Sequence, residues 1–231
     1  MVVLTQGFGC GAAFTLGCAA PRFQRWIDAN ALRGRNFDSH FRLHPLKEES
    51  FMIEVKFRGR GGQGAVIASE ILGRSLFLEG KWPQAFSHFG GERRGAPVFG
   101  FLRVDDEPIL LKCQIKHADH VVIFDLALAN EREVFQELKP NGIVLINTNH
   151  DIDYFHKWRA FRLGLIDAGA IARSVGLGHT FNTAILGSYA RLTSLVKMET
   201  LLSVVREMAP SKVDSNLLAV QRGYEEVKIY Q

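Results

Sequence analysis

Two glycine-rich segments about thirty residues apart hold most of the residues in this chain that could do chemistry. The first runs Arg58-Gly59-Arg60-Gly61-Gly62-Gln63-Gly64, directly after the apolar run Met52-Ile53-Glu54-Val55-Lys56-Phe57. Strand, glycine loop and helix in that order bring backbone N–H groups against a phosphate. The second runs Phe89-Gly90-Gly91-Glu92-Arg93-Arg94-Gly95-Ala96-Pro97-Val98. It places two arginines and a glutamate on a loop stiffened by Pro97, and the planar fork of arginine suits phosphate and carboxylate recognition. The flanking glycines and Pro97 favour a recognition loop over a solvated turn, and a salt bridge to a partner chain accounts for Glu92, Arg93 and Arg94 equally well.

The spacing Gly59-x-Gly61-x-x-Gly64 fits a dinucleotide fingerprint. That fingerprint also needs a carboxylate roughly twenty residues on, to hold a ribose. Residues 82–88 read Trp-Pro-Gln-Ala-Phe-Ser-His and supply none, which excludes NAD as the leading ligand. Two readings remain open for the loop: an anion cradle helped by Arg58 and Arg60, or a tight turn whose glycines serve packing alone. Asp125 and Asn147 fall at the ends of apolar runs, where open α/β sheets bind ligands. Asp125 is better read as a helix cap, and so is Asp167. His117 and His120 lack a carboxylate or thiol to complete a metal set. No Gly-x-Ser-x-Gly elbow, P-loop or His-Glu-x-x-His occurs.

The elements that must position these residues follow from periodicity. A strand at 52–57 leads through the loop into a helix at about 64–79, stopped by Gly80. Short strands are predicted near 82–86, 98–103 and 108–112. Val121-Val122-Ile123-Phe124 and Ile143-Val144-Leu145-Ile146 are apolar on both faces, as central parallel strands are. A helix at 127–138 lies between them, and residues 161–166 form a further strand. The last third is helical, at 181–195, 199–208 and 213–227, with Pro210 separating the last two. The expectation is an α/β fold: an open, mostly parallel sheet with helices on both faces and a helical C-terminal third.

Residues 1–51 show no period that would bury a core face, so the chain divides into an N-terminal extension, 1–51, and a regular domain, 52–231. The extension is either a poorly ordered arm or lies upstream of a natural start at Met52, and the missing period favours the second. With 47% hydrophobic residues in 231, the chain can fill a globular core. A net charge of +4 without a Lys/Arg run argues against nucleic acid. The longest apolar stretch, 7–20, is broken by four glycines and a threonine, so no membrane span or signal peptide is expected. The three cysteines, Cys10, Cys18 and Cys113, lack cluster or zinc spacing and fit a reducing cytoplasm.

Several segments together resemble a known family: 57–64, Gln84-Ala85-Phe86, 91–98, Asn182-Thr183-Ala184-Ile185-Leu186-Gly187 and Arg222-Gly223-Tyr224-Glu225-Glu226-Val227-Lys228. They look like the gamma subunit of 2-oxoacid:ferredoxin oxidoreductases, nearest to the pyruvate branch, over residues 52–228. Ending the second loop in Arg-Gly-Ala-Pro-Val is similar to the pyruvate and 2-oxoisovalerate branches more than to the 2-oxoglutarate one. The resemblance implies a Rossmann-like companion domain in a cytoplasmic complex with alpha, beta and delta chains and ferredoxin. It implies a reaction that turns a 2-oxoacid and coenzyme A into acyl-CoA and CO2. Thiamine diphosphate with Mg, and the iron–sulfur clusters, would then belong to the complex, with none bound by this chain alone. Its own part would be to position coenzyme A or to pack against the catalytic subunits. The residues expected to do so are Arg58, Gly59, Gly61, Gly62, Gln63, Gly64, Glu92, Arg93, Arg94 and Gly95. A stand-alone nucleotide-binding protein and a pure scaffold are the competing readings.

Overall fold

The computed structural model describes residues 52–89 and 96–231. The expectations for 1–51 and for Glu92, Arg93, Arg94 and Gly95 lie outside them.

β1 (Ile53–Arg60) alternates Val55 and Phe57 with Lys56 and Arg58. All four are buried, so the strand is central and covered on both sides. Gly64 breaks the chain into the left-handed region (φ 79°) and opens α1 (Ala65–Leu78). Gly80 closes that helix at φ 84°, its N–H donating to Phe77 O at 3.0 Å and the Lys81 N–H to Leu76 O at 3.1 Å. β2 (Trp82–Phe89) and β3 (Pro97–Asp105) then pair antiparallel.

The chain continues through β4 (Ala118–Ile123), a 3-10 turn (Leu126–Leu128), α2 (Glu131–Glu137) and β5 (Leu138–Asn147). A 3-10 segment (Ile152–Ala160) leads into β6 (Arg162–Ile166) and α3 (Ala168–Ser174). The last third holds α4 (Asn182–Thr193), α5 (Met198–Met208), α6 (Val213–Glu226) and β7 (Lys228–Tyr230).

The sheet order is β2-β3-β1-β4-β5-β6-β7. Its centre, β1-β4-β5-β6, is parallel, and both flanks are antiparallel. The α/β class with an open sheet, helices on both faces and a helical last third is therefore what the chain adopts, its parallel part confined to the middle four strands. On one face Val55, Phe57, Val122, Phe124 and Leu145 pack against α1 and α3 to α6. On the other, Val121, Ile123, Val144 and Ile146 pack against Val134 of α2 and against Phe155 and Trp158.

Two local expectations differ, and two short elements were not expected. Residues 108–112 form no strand, and Leu110 there is 89% exposed. The helix expected at 127–138 is a 3-10 turn followed by the seven-residue α2, because Asp125 caps the turn and the chain re-enters the sheet at Leu138. α3 and β7 carry too few residues for a period to register in the sequence.

α4 and α6 pack closest of all the helices. A Cβ on Gly187 would overlap the Val220 carbonyl, and one on Gly223 would overlap the Ala184 carbonyl. Ser188 Oγ donates to Gly223 O across the same seam at 2.9 Å. α4 is tied to the sheet where the Tyr189 hydroxyl meets His120 Nδ1 at 2.7 Å. Burial pushes the His120 imidazole down to about 4.

Candidate functional site

After β1 the chain crosses to one face of the sheet as α1, and after β4 it crosses to the other as α2. A crevice must open between the carboxyl ends of two neighbouring parallel strands whose connections diverge in this way. The first glycine loop sits at that crevice.

The loop is held by its own strand end and by β4. The Gln63 N–H donates to Arg60 O at 3.1 Å, while Gln63 Oε1 accepts from the Arg60 N–H at 2.8 Å. Gln63 Nε2 and Arg60 Nε both donate to Asp125 Oδ2, at 3.2 and 2.7 Å. Asp125 Oδ1 accepts from the Ala127 N–H at 3.0 Å. Partial burial would raise the Asp125 carboxyl, but the Ala127 N–H, Arg60 and Gln63 outweigh it and hold the group below the usual carboxylate range. Asp125 is therefore the cap that the sequence suggested and also the clamp of the loop.

The glycines divide the work. A Cβ on Gly59 would lie 2.9 Å from Ala65 Cβ, so this glycine lets strand and helix close up. Gly64 is left-handed and faces Asn182 Nδ2, 2.9 Å from where a Cβ would stand. Gly62 is also left-handed, at φ 94°, with no described residue within 4 Å of a Cβ position. Gly61 and Gly62 are exposed. The Gly61 N–H donates to Ala96 O at 3.3 Å, and Arg60 pairs with Pro97. The described ends of the second glycine segment, Phe89 and Ala96, thus flank the first loop: Phe89 pairs with Val98 of the same hairpin.

Beside the loop lies a cleft of about 390 Å3, lined by Gln63, Phe124, Asp125, Asn147, Thr148 and Arg173 among others. Asn147 spans it, Nδ2 donating to Phe124 O and Oδ1 accepting from the Ala168 N–H, both at 3.0 Å. Asp167 caps α3 as expected, Oδ1 accepting from the Ala170 N–H at 2.7 Å. Among the described residues no group of three or more His, Cys, Asp or Glu could hold a metal ion.

Comparison with known proteins places this arrangement. Residues 54–226 match the family model for pyruvate ferredoxin/flavodoxin oxidoreductase. This chain belongs to that family. The pyruvate synthase subunit PorC of Methanothermobacter marburgensis is 44% identical over 179 residues, covering 77% of this chain and 98% of the relative. The pyruvate/ketoisovalerate oxidoreductases common subunit gamma of Pyrococcus furiosus is 43% identical over 185 residues, covering 78% of this chain and 100% of the relative. The solved pyruvate oxidoreductase subunit PORC of Thermotoga maritima superposes with a TM-score of 0.69 at 33% identity, over 79% of this chain and 100% of that one. The chain is a gamma-type subunit of the oxidoreductases of this family, the class that the sequence motifs resembled. Among the described residues no helix is long and apolar enough to cross a membrane.

Within this family member, the expected site residues do not all converge. Gly59, Gly61, Gly62, Gln63 and Gly64 lie together at the crevice. Arg58 does not present its charge there. It is 4% exposed beneath α2, Nη1 donating to Leu128 O at 2.8 Å and Nη2 lying 3.2 and 3.4 Å from Glu133 and Glu137. The reason is the period of two: Arg58 shares its face with Lys56, and α2 covers that face with carboxylates for both. Arg60, at the strand end beyond α2, carries the positive charge beside the loop. Sequence reasoning did not single out Thr148 or Arg173. Thr148 could have been found as the residue following Asn147 at the end of an apolar strand; Arg173 lies on a helix too short to announce itself.

Proposed function

We propose that this chain is the gamma subunit of a cytoplasmic pyruvate:ferredoxin oxidoreductase and that its two glycine segments shape the surface that receives coenzyme A. The observation that carries the reading is the Gly61–Ala96 hydrogen bond at the carboxyl end of β1, which sets the roots of the arginine-bearing segment against the open glycine loop. Gly61 spends its N–H on that bond, Gly62 offers a backbone N–H without a side chain in the way, and Arg93 and Arg94 add charge on the neighbouring segment. Fixed donors of this kind position a phosphate-rich ligand without taking part in bond making.

In this reading the alpha, beta and delta subunits complete the complex and ferredoxin takes the electrons. Thiamine diphosphate with Mg, held in the other subunits, supplies the carbanion chemistry that decarboxylates the 2-oxoacid, and iron–sulfur clusters carry the electrons onward. The 2-oxoacid is pyruvate or 2-oxoisovalerate, since relatives are described as serving pyruvate alone or both.

The test is Arg93→Ala/Arg94→Ala in the complex reconstituted from all subunits. Loss of charge-assisted hydrogen bonds to phosphate should raise the KM for coenzyme A about tenfold with normal assembly. An unchanged KM in a normally assembled complex would leave a scaffold role only. Tight NADH binding by the purified chain would favour an independent nucleotide-binding protein.

A further inference from the structure

The cleft beside the glycine loop is unequal in its hydrogen-bonding capacity. Most of its acceptors are engaged, Asp167 Oδ2 being the exception among the described residues. The Asp125 carboxylate is engaged by Arg60, Gln63 and the Ala127 N–H. Asp167 caps α3, and Asn147 is used at both ends. Two strong donors remain as well. Thr148 is 9% exposed and its Oγ1 accepts from the His150 N–H at 3.0 Å, while its hydroxyl proton meets no acceptor among the described residues. Arg173, in the last turn of α3, is exposed into the cleft, and its guanidinium forms no ion pair or hydrogen bond with a described residue. Its Nη1 lies against Gly169, 3.3 Å from where a Cβ would stand, so a side chain there would crowd the fork.

A concave site at the carboxyl ends of parallel strands, with a buried hydroxyl and an unpaired guanidinium left over, is complementary to an oxyanion. We infer that Arg173 anchors a phosphate of coenzyme A in this cleft, with Thr148 donating beside it. The inference rests on the coenzyme A reading above and adds a positively charged residue on the far side of the crevice from the glycine loop. Two parts of the ligand carry the chemistry, the 3′-phosphate and the diphosphate.

The experiment uses the reconstituted complex with Arg173→Ala and Arg173→Lys, assayed with coenzyme A and with 3′-dephospho-coenzyme A. Arg173→Ala should raise the KM for coenzyme A about tenfold with kcat within about twofold, and Arg173→Lys should recover part of the loss. A rise confined to coenzyme A assigns the 3′-phosphate; an equal rise with both assigns the diphosphate. An unchanged KM overturns the inference. So does a complex that assembles poorly yet shows a normal KM, because Arg173 would then hold a carboxylate of a partner subunit. If Arg93→Ala/Arg94→Ala raises the KM and Arg173→Ala does not, this inference falls and the proposed function stands. If neither does, both fall.

Discussion

The chain uses glycine in two opposite ways, at the α4–α6 seam and at the loop after β1. At the seam Gly187 and Gly223 have ordinary helical backbones and no room: each faces a carbonyl of the other helix. At the loop Gly62 has an unusual backbone and room on the side of every described residue. The first pattern is what packing demands, since interiors close to crystal density and a missing side chain is filled by a neighbour. The second is what packing cannot explain. A left-handed backbone with open space above it keeps N–H groups accessible, at a cost to stability that the fold meets elsewhere. Substitutions at the two places should therefore fail differently, in stability at the seam and in ligand handling at the loop.

The largest expected effect is at the seam. Gly187→Ala or Gly223→Ala forces apart two helices in backbone contact and cannot be relieved by turning a side chain. Each should cost about 3 kcal/mol or more, read from urea unfolding of the isolated chain. A loss under about 1 kcal/mol would mean the helices separate freely and the seam is not a packing constraint.

The next effect is an acid dependence in the same region. His120 is held neutral by burial, its pKa lowered from 6.5 to about 4 in the folded chain. A basic group with a depressed folded pKa binds its proton more readily when unfolded. Its contribution is complete above pH 6.5 and is lost as pH falls from there towards 4. The loss amounts to on the order of 3 kcal/mol. His120→Asn should flatten the stability profile across that window. A profile as steep as that of the parent chain would assign the acid sensitivity to other groups.

At the loop the expectation reverses. Gly62→Ala puts a Cβ into open space but onto a left-handed backbone, costing about 1–2 kcal/mol of strain. The isolated chain should still fold, while the complex loses affinity for coenzyme A. A variant that melts early yet supports a normal KM for coenzyme A would return Gly62 to a purely structural role.

How far these two regions were legible in the sequence differs for the same physical reason. The loop is local: strand, glycines and helix lie within thirty residues, and the expected boundaries at 52–57 and 64–79 agree with Ile53–Arg60 and Ala65–Leu78 within a few residues. The seam is not local. Gly187 and Gly223 each stood in a motif that resembled the family, but nothing along the chain says that the two meet. The burial of Arg58 was hidden likewise, because the carboxylates that neutralise it lie some 75 residues on. Asp125 was legible as a cap, two residues from the Ala127 N–H it accepts, and illegible as a clamp, because Arg60 and Gln63 reach it only once β1 and β4 pair in parallel.

That clamp gives the smallest effect. Asp125→Asn keeps the shape, and its carbonyl oxygen still accepts from the Ala127 N–H, but it removes the charge facing Arg60. At neutral pH it should cost about 0.5–1 kcal/mol, since the pair is partly open to water. The sign with pH follows from the depressed pKa of Asp125. A carboxyl with a lowered folded pKa stabilises above its unfolded value, near 4, and loses that contribution as pH falls through the folded pKa. Parent and variant should differ at pH 7 and converge below pH 4, checked by thermal melts at both. The loop should also loosen, so amide exchange at Gly61, Gly62 and Gln63 should quicken in the variant at pH 7 while the seam residues keep their protection. Faster exchange at Gly187 and Gly223 as well would join the two regions into one unit and end the contrast between them.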